Sequence, residues 1–254
     1  MAVIARVLAP LLLLALAAMG WEVGVRLDDT PAWFLPAPSA VGRTLVDDRG
    51  LLAHHTWVTV QEIALGFAVA LAAGVLVGVA IDGSRVVERA LYPIVIASQA
   101  VPIVALAPLL IVWFGYGLTP KVVVTALVAF FPITVGVVDG LRSTDREVLA
   151  MLRTFGAGRW RRFRLARMPS ALPGLFSGVR IGVSLAVIGA VFGEYAGSKA
   201  GLGYLINISS GRLLTSRVFA CVVILAVLAV ALFAAVAVLE RLLLPWRRLV
   251  MEER

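Results

Sequence analysis

The sequence predicts an all-α polytopic membrane protein of six transmembrane helices, and three observations carry that expectation. Of the 254 residues, 61% are hydrophobic and only 15% are charged, against roughly 45–50% and about 25% in soluble domains. A single soluble core of this size cannot hide that excess without leaving its surface apolar, and a bilayer is the solvent that accepts such a surface. Six apolar segments approach the roughly 20 helical residues that cross a hydrocarbon core. Finally, arginine is concentrated in one connection between them, which sets an orientation.

The segments fall near 3–21, 58–81, 91–114, 121–138, 171–193 and 218–244. The first has a signal-like look, with Arg6 ahead of Leu11, Leu12, Leu13 and Leu14; five further spans favour reading it as an uncleaved helix. The chain is thus expected to be one transmembrane domain over 1–254. It would comprise an extra N-terminal helix (3–21), a core over about 55–244 and a polar connecting segment over about 142–169. The connection from Glu22 to Trp57 holds Arg26, Arg43 and Arg49 against five acids. The connection from Asp139 to Pro169 holds eight arginines: 142, 146, 153, 159, 161, 162, 164 and 167. Six spans put these on opposite sides, so the arginine-rich connection and both termini are expected to be cytoplasmic. Trp246-Arg247-Arg248 agrees, an aromatic belt residue followed by positive charge. The net charge of +8 is therefore a topology signal, and nucleic acid is not an expected partner.

Glycine and proline mark the packing. Gly74 and Gly78, then Gly174, Gly178 and Gly182, then Gly189, Gly193, Gly197 and Gly201 recur at a spacing of four. That spacing lets helix backbones approach closely in lipid. Pro93, Pro102 and Pro108 crowd one span, so it should be kinked or broken, which is tolerated only against protein or a water-filled cavity. Gln99, Pro102 and Trp113 on that span, with Glu194 at the end of the fifth, are candidates to line a pathway; Glu194 could equally make a structural hydrogen bond to a neighbouring helix, and Gln99 could pair with backbone groups freed at Pro102. Arg180 lies within the fifth span, and Glu62 is the partner expected for it. Cys221 is alone and forms no disulfide or metal site. His54 and His55 are expected at the membrane interface, just ahead of a helix.

The arginine-rich connection carries the mechanism. A helix up to Phe155 should break at Gly156, which can take a left-handed conformation. A second helix then carries Arg159, Arg161, Arg162, Arg164 and Arg167, with Trp160 and Phe163 on one face, and Pro169 closes it. Such a unit could lie on anionic headgroups or dock in a groove of a cytoplasmic partner. The residues alone leave both open.

The spacing Gly156 to Pro169 resembles the cytoplasmic motif of ATP-binding-cassette (ABC) importer permeases, E-A-A-x3-G-x9-I-x-L-P. Ala150-Met151-Leu152 stand where E-A-A would, and Ala166 and Met168 replace Ile and Leu; Glu147, one turn earlier, is a substitute acid. The resemblance implies a MetI-like permease fold and an ATPase-coupling role for Glu147, Ala150, Arg153, Gly156, Ala157, Arg159, Trp160, Phe163 and Pro169. Phe34-Leu-Pro-Ala-Pro-Ser39, Pro108 to Gly117, Phe131-Pro132-Ile133 and Gly193-Glu194…Gly201-Leu-Gly-Tyr204 are similar to nitrate/sulfonate/taurine-type permeases. Ser98-Gln99-Ala-Val-Pro102 and Val191-Phe-Gly-Glu194 look most like the branch for thiamine-pyrimidine precursors. The same resemblance implies two ATPase subunits, a second permease copy, an extracytoplasmic binding protein and a place in the bacterial inner membrane. The chain has no G-x-x-x-x-G-K-[ST] loop and only two lysines, Lys121 and Lys199. It is thus not expected to be an enzyme or to bind a cofactor, with ATP and Mg held by the partner ATPase. A secondary carrier or channel is the competing reading; it would show paired repeats and midplane ion-coupling charges.

Overall fold

The computed structural model describes residues 2–245; the Trp246-Arg247-Arg248 motif lies outside the described residues, as do the side chains of 2–7, 10 and 11. Helices account for nearly all of the described chain, and no strand occurs in it. They are α1 (Ala2–Leu27), α2 (Pro38–Asp47), α3 (Arg49–Gly83), α4 (Arg85–Ala97), α5 (Ile103–Phe114) and α6 (Leu118–Arg142). After these come α7 (Arg146–Thr154), α8 (Arg159–Arg162), α9 (Met168–Gly197), α10 (Leu202–Gly211) and α11 (Thr215–Leu243).

Four helical stretches are long and apolar enough to cross a membrane: α3, α6, Arg159–Gly197 and α11. A fifth crossing results if the bent pair α4–α5 counts as one span. The first expected span falls in α1, whose early side chains are among those not described. The core is the triad α3, α6 and α9. Its α6–α9 seam is a backbone contact: a Cβ on Gly136 would sit 2.6 Å from the Gly174 carbonyl oxygen, and one on Gly174 would meet the Gly136 oxygen at the same distance. This is the close approach that the four-residue glycine spacing predicts. Ala70, Ala129, Ile133, Ala186 and Ala190 fill the space between the three helices and are fully buried. The apolar heart of α11, by contrast, has no residue buried within the chain.

Three expectations bear on the backbone; the first holds and the other two need correction. The span with three prolines is broken, at one of them. Pro93 and Pro108 stay inside α4 and α5, while Pro102 is the N-cap of α5 after a 3-10 turn, and the two helices meet at 102°. Val101 is extended (φ −78°, ψ 120°), the conformation that a following proline imposes. Secondly, Pro169 does not close the segment after Gly156. It lies just after a π turn over Phe163–Arg167 that joins α8 to α9 and makes Arg159–Gly197 one helix, so the proline, which has no N–H to donate, sits where the regular hydrogen-bond ladder is already interrupted. Thirdly, the polar connection before the second span is largely helical. It folds as α2 and the first turns of α3, and His54 and His55 lie inside α3.

Candidate functional site

The arginine-rich segment is built by local rules. Asp145 caps α7, its carboxylate accepting the Glu147 N–H at 2.8 Å. The helix ends in a paired closure: the Ala157 N–H donates to the Leu152 carbonyl and the Gly156 N–H to the Arg153 carbonyl, both at 2.9 Å. This is the Schellman arrangement, which needs a left-handed residue, and Gly156 has φ +73°. A Cβ there would meet nothing within 4 Å, so backbone conformation rather than space requires glycine.

Beyond the turn, Trp160 and Phe163 stack with ring centroids 5.6 Å apart, and Trp160 is 72% exposed. Glu147, Ala150, Arg153 and Arg159 are exposed; Ala157, Phe163 and Pro169 are half-buried. Two ion pairs tether the segment's ends. Arg167 grips Asp82 at the end of α3 with both terminal nitrogens, at 2.7 and 2.8 Å. Arg142 pairs with Glu88 at 2.6 Å and lies over the Tyr92 ring. The aromatic pair is thereby presented outward on a braced helix–turn–helix.

The four candidate pathway residues are not gathered in one place. Gln99 and Pro102 are exposed at the α4–α5 bend, and Trp113 is exposed near the end of α5. Glu194 is 1% exposed and enters a buried polar cluster at the opposite end of the bundle from the arginine-rich segment. There the Glu194 carboxylate accepts the Thr59 hydroxyl at 2.6 Å and the Gly203 N–H. Thr59 in turn accepts the Leu202 N–H at 2.8 Å, and His55 Nδ1 accepts the Gly201 N–H at 3.0 Å. Three successive amides at the start of α10 are thus capped by side chains of α3 and α9, supplying partners that a helix N-terminus lacks. Gly201, at φ +117°, lies directly against the Glu194 carboxyl, where a Cβ would collide with it.

Lys121 on α6 completes the cluster, donating to Glu62 and to the Ser198 hydroxyl at 2.6 Å each. Glu62 is therefore the partner of Lys121, not of Arg180 as the sequence suggested. Arg180 pairs instead with Glu240 on α11 and lies over the Phe233 ring. The expected pairing failed because sequence gives no register between α3 and α9. Thr59, His55, Lys121 and Ser198 went unrecognised as a group. The available signal was Glu62, the one acid within the apolar span of 58–81, and Lys121, the one lysine of α6, each in a span too apolar to hold an unpaired charge. No nucleophile–base pair stands out, and no group of three or more metal-ligating side chains occurs among the described residues.

Comparison with known proteins gives these two features a context. Residues 70–245 match the family described as binding-protein-dependent transport system inner membrane component. The chain is 40% identical to the formylaminopyrimidine transport permease protein ThiX of Halalkalibacterium halodurans, over 95% of this chain and 96% of the relative. It is 42% identical to the riboflavin transport system permease protein RibX of Chloroflexus aurantiacus, over 92% and 88%. The taurine transport system permease protein TauC of Escherichia coli is 29% identical, over 92% and 87%. Among solved structures, the MetNI methionine ABC transporter in inward-facing conformations aligns with a TM-score of 0.67 at 22% identity, covering 77% of this chain and 97% of that one; it supports the fold. The chain belongs to the inner-membrane components of binding-protein-dependent transport systems, the MetI-like translocation subunits of ABC importers, whose energy comes from a separate ATPase.

Proposed function

We propose that two copies of this chain form the translocation pathway for a small nitrogen-heteroaromatic nutrient, of the pyrimidine or flavin class. The solute is delivered by an extracytoplasmic binding protein, and two ATPase subunits bearing ATP and Mg sit against α7 and α8. The observation that carries the coupling reading is the braced, outward-facing Trp160–Phe163 pair behind the Gly156 turn. Coupling passes force between subunits and has no chemistry of its own, so it needs a stiff, correctly aimed contact. An exposed aromatic amid arginines is the composition that dominates binding hot spots. Glu147, Ala150, Arg153, Ala157, Arg159 and Pro169 form or flank that contact. Gln99, Pro102 and Trp113, exposed along the bent span, are offered to the pathway between the two copies. Glu194 acts from behind by fixing α10.

The substrate class rests on the 40% and 42% identities to permeases named for formylaminopyrimidine and riboflavin. Permeases named for aliphatic sulfonates and taurine are 28–32% identical. The solute class is tested by ligand binding to the partner binding protein; selective binding of taurine or an alkanesulfonate would refute it. Coupling is tested on the reconstituted transporter. Gly156→Val strains the left-handed turn by about 1 kcal/mol or more. Both that variant and the double change Arg159→Glu, Trp160→Ala should insert normally. They should then lose co-purifying ATPase, or hydrolyse ATP without uptake. Wild-type ATPase recovery and uptake in both would overturn the assignment.

A further inference from the structure

The aromatic pair forms part of the wall of a cleft of about 620 Å³ that opens between the end of α3 and the α7–α8 unit. Its walls carry four guanidinium groups, Arg153, Arg159, Arg162 and Arg167, and one carboxylate, Asp82. Asp82 is spent on the terminal nitrogens of Arg167. The other three arginines have no ion-pair partner in the described chain. The Nε groups of Arg162 and Arg167 are shielded from solvent and have no acceptor. A shielded guanidinium donor without an acceptor is costly, and three uncompensated charges in one cleft repel each other.

Depth points to what would satisfy them. From Ile63 to Ile81, α3 carries no charge; at about 1.5 Å per residue that stretch matches the hydrocarbon thickness. Asp82 is the first charge after it, which puts the cleft at the level of lipid headgroups.

We infer that this cleft binds a phosphoryl group, taken from the headgroup of an anionic phospholipid or as free phosphate. A guanidinium fork matches phosphate oxygens bidentately, and the Arg162 and Arg167 Nε groups gain the acceptors they lack. The inference goes beyond the coupling assignment, with which the cleft shares Arg153, Arg159, Trp160 and Phe163.

The test uses the full chain purified in detergent with mixed phosphatidylcholine and phosphatidylglycerol, the bound lipid being counted by native mass spectrometry. Wild type should retain phosphatidylglycerol over phosphatidylcholine. The double variant Arg153→Gln, Arg162→Gln should weaken that retention about tenfold, roughly the worth of one charge-assisted bond. Arg89→Gln, which removes an exposed charge outside the cleft, should leave it unchanged. Displacement of the lipid by millimolar inorganic phosphate would identify a site that takes free phosphate; no displacement would identify a headgroup site. Equal losses in the double variant and in Arg89→Gln would show diffuse surface attraction and overturn the inference. So would unchanged lipid retention in the double variant, with or without lost ATPase co-purification. Because lipid retention is read without the ATPase, failure here leaves the coupling assignment standing, and the reverse.

Discussion

Replacing Glu194 by alanine tests whether α10 is held by the buried polar cluster. The carboxylate is 1% exposed and accepts from the Thr59 hydroxyl and the Gly203 N–H. Alanine removes both acceptors at once. The amide at Gly203 has no alternative partner, while the Thr59 hydroxyl can turn to the His55 carbonyl, 3.1 Å away. One buried donor is therefore orphaned outright, at about 1–3 kcal/mol, and the lost side-chain volume adds a cavity cost. Removing one of two adjoining carboxylates, Glu62 being the other, offsets part of this. A net destabilisation of about 2–4 kcal/mol is expected. Glutamine keeps the shape and one acceptor oxygen and places its amide donor beside Glu62, so Glu194→Gln should cost about 1 kcal/mol or less. The assay is thermal unfolding of the detergent-purified chain. At about 2–4 °C per kcal/mol for a chain of this order, alanine should lower Tm several degrees more than glutamine. An alanine variant as stable as wild type, or a glutamine variant as damaged as alanine, would refute the reasoning. The first result would mean that α10 is held by apolar packing around Leu202 and Leu205 instead; the second, that both carboxylate oxygens are needed and one acceptor does not suffice.

Two further outcomes are expected. A reporter fused after Trp246 should read as cytoplasmic and one inserted between Asp28 and Arg43 as extracytoplasmic; the reverse pair would overturn the orientation. Deleting Leu165, an exposed residue within the π turn, should restore plain α-helical spacing and rotate Arg159 and Trp160 by about 100°. The chain should still insert, but ATPase co-purification should fall; normal co-purification and uptake would show that the aim of α8 does not matter.

The features that were legible in the sequence are those with a local cause. Gly156 had to end a helix because only a left-handed residue closes that hydrogen-bond pattern, and it does. The glycines spaced by four had to mark close helix packing, and Gly174, Gly178, Gly182, Gly189 and Gly193 do so along the α6–α9 seam, with Gly74 and Gly78 on α3 against α6. The failures have a non-local cause. Which acid meets Lys121 and which meets Arg180 depends on helix register, and a span's composition holds no information on that. The prolines show the boundary between the two cases. All three disfavour a straight helix, but whether the chain bends at Pro93, Pro102 or Pro108 depends on what packs against each. His55 shows it again: its neighbours in sequence are polar, while its partner, the Gly201 amide, lies 146 positions away.

Continuity of Arg159–Gly197 joins the two halves of the candidate site. Its 39 residues make a rod of roughly 60 Å, with Trp160 at one end and Glu194 near the other. Close backbone contact along the glycine seam packs α9 against α6 over much of its length. On the proposed function, a displacement imposed at Trp160 is therefore carried by α6 and α9 together, and reaches α10 through the hydrogen bonds of Glu194 and Thr59. The π turn is the place where the rod can yield, since its Met168 N–H reaches back five residues to the Phe163 carbonyl and such turns are marginal. Asp82 braces that point by holding Arg167, the last residue of the turn. The apolar heart of α11, unburied within the chain between ion pairs at Arg217 and Glu240, is suited to face lipid or a partner rather than to carry force.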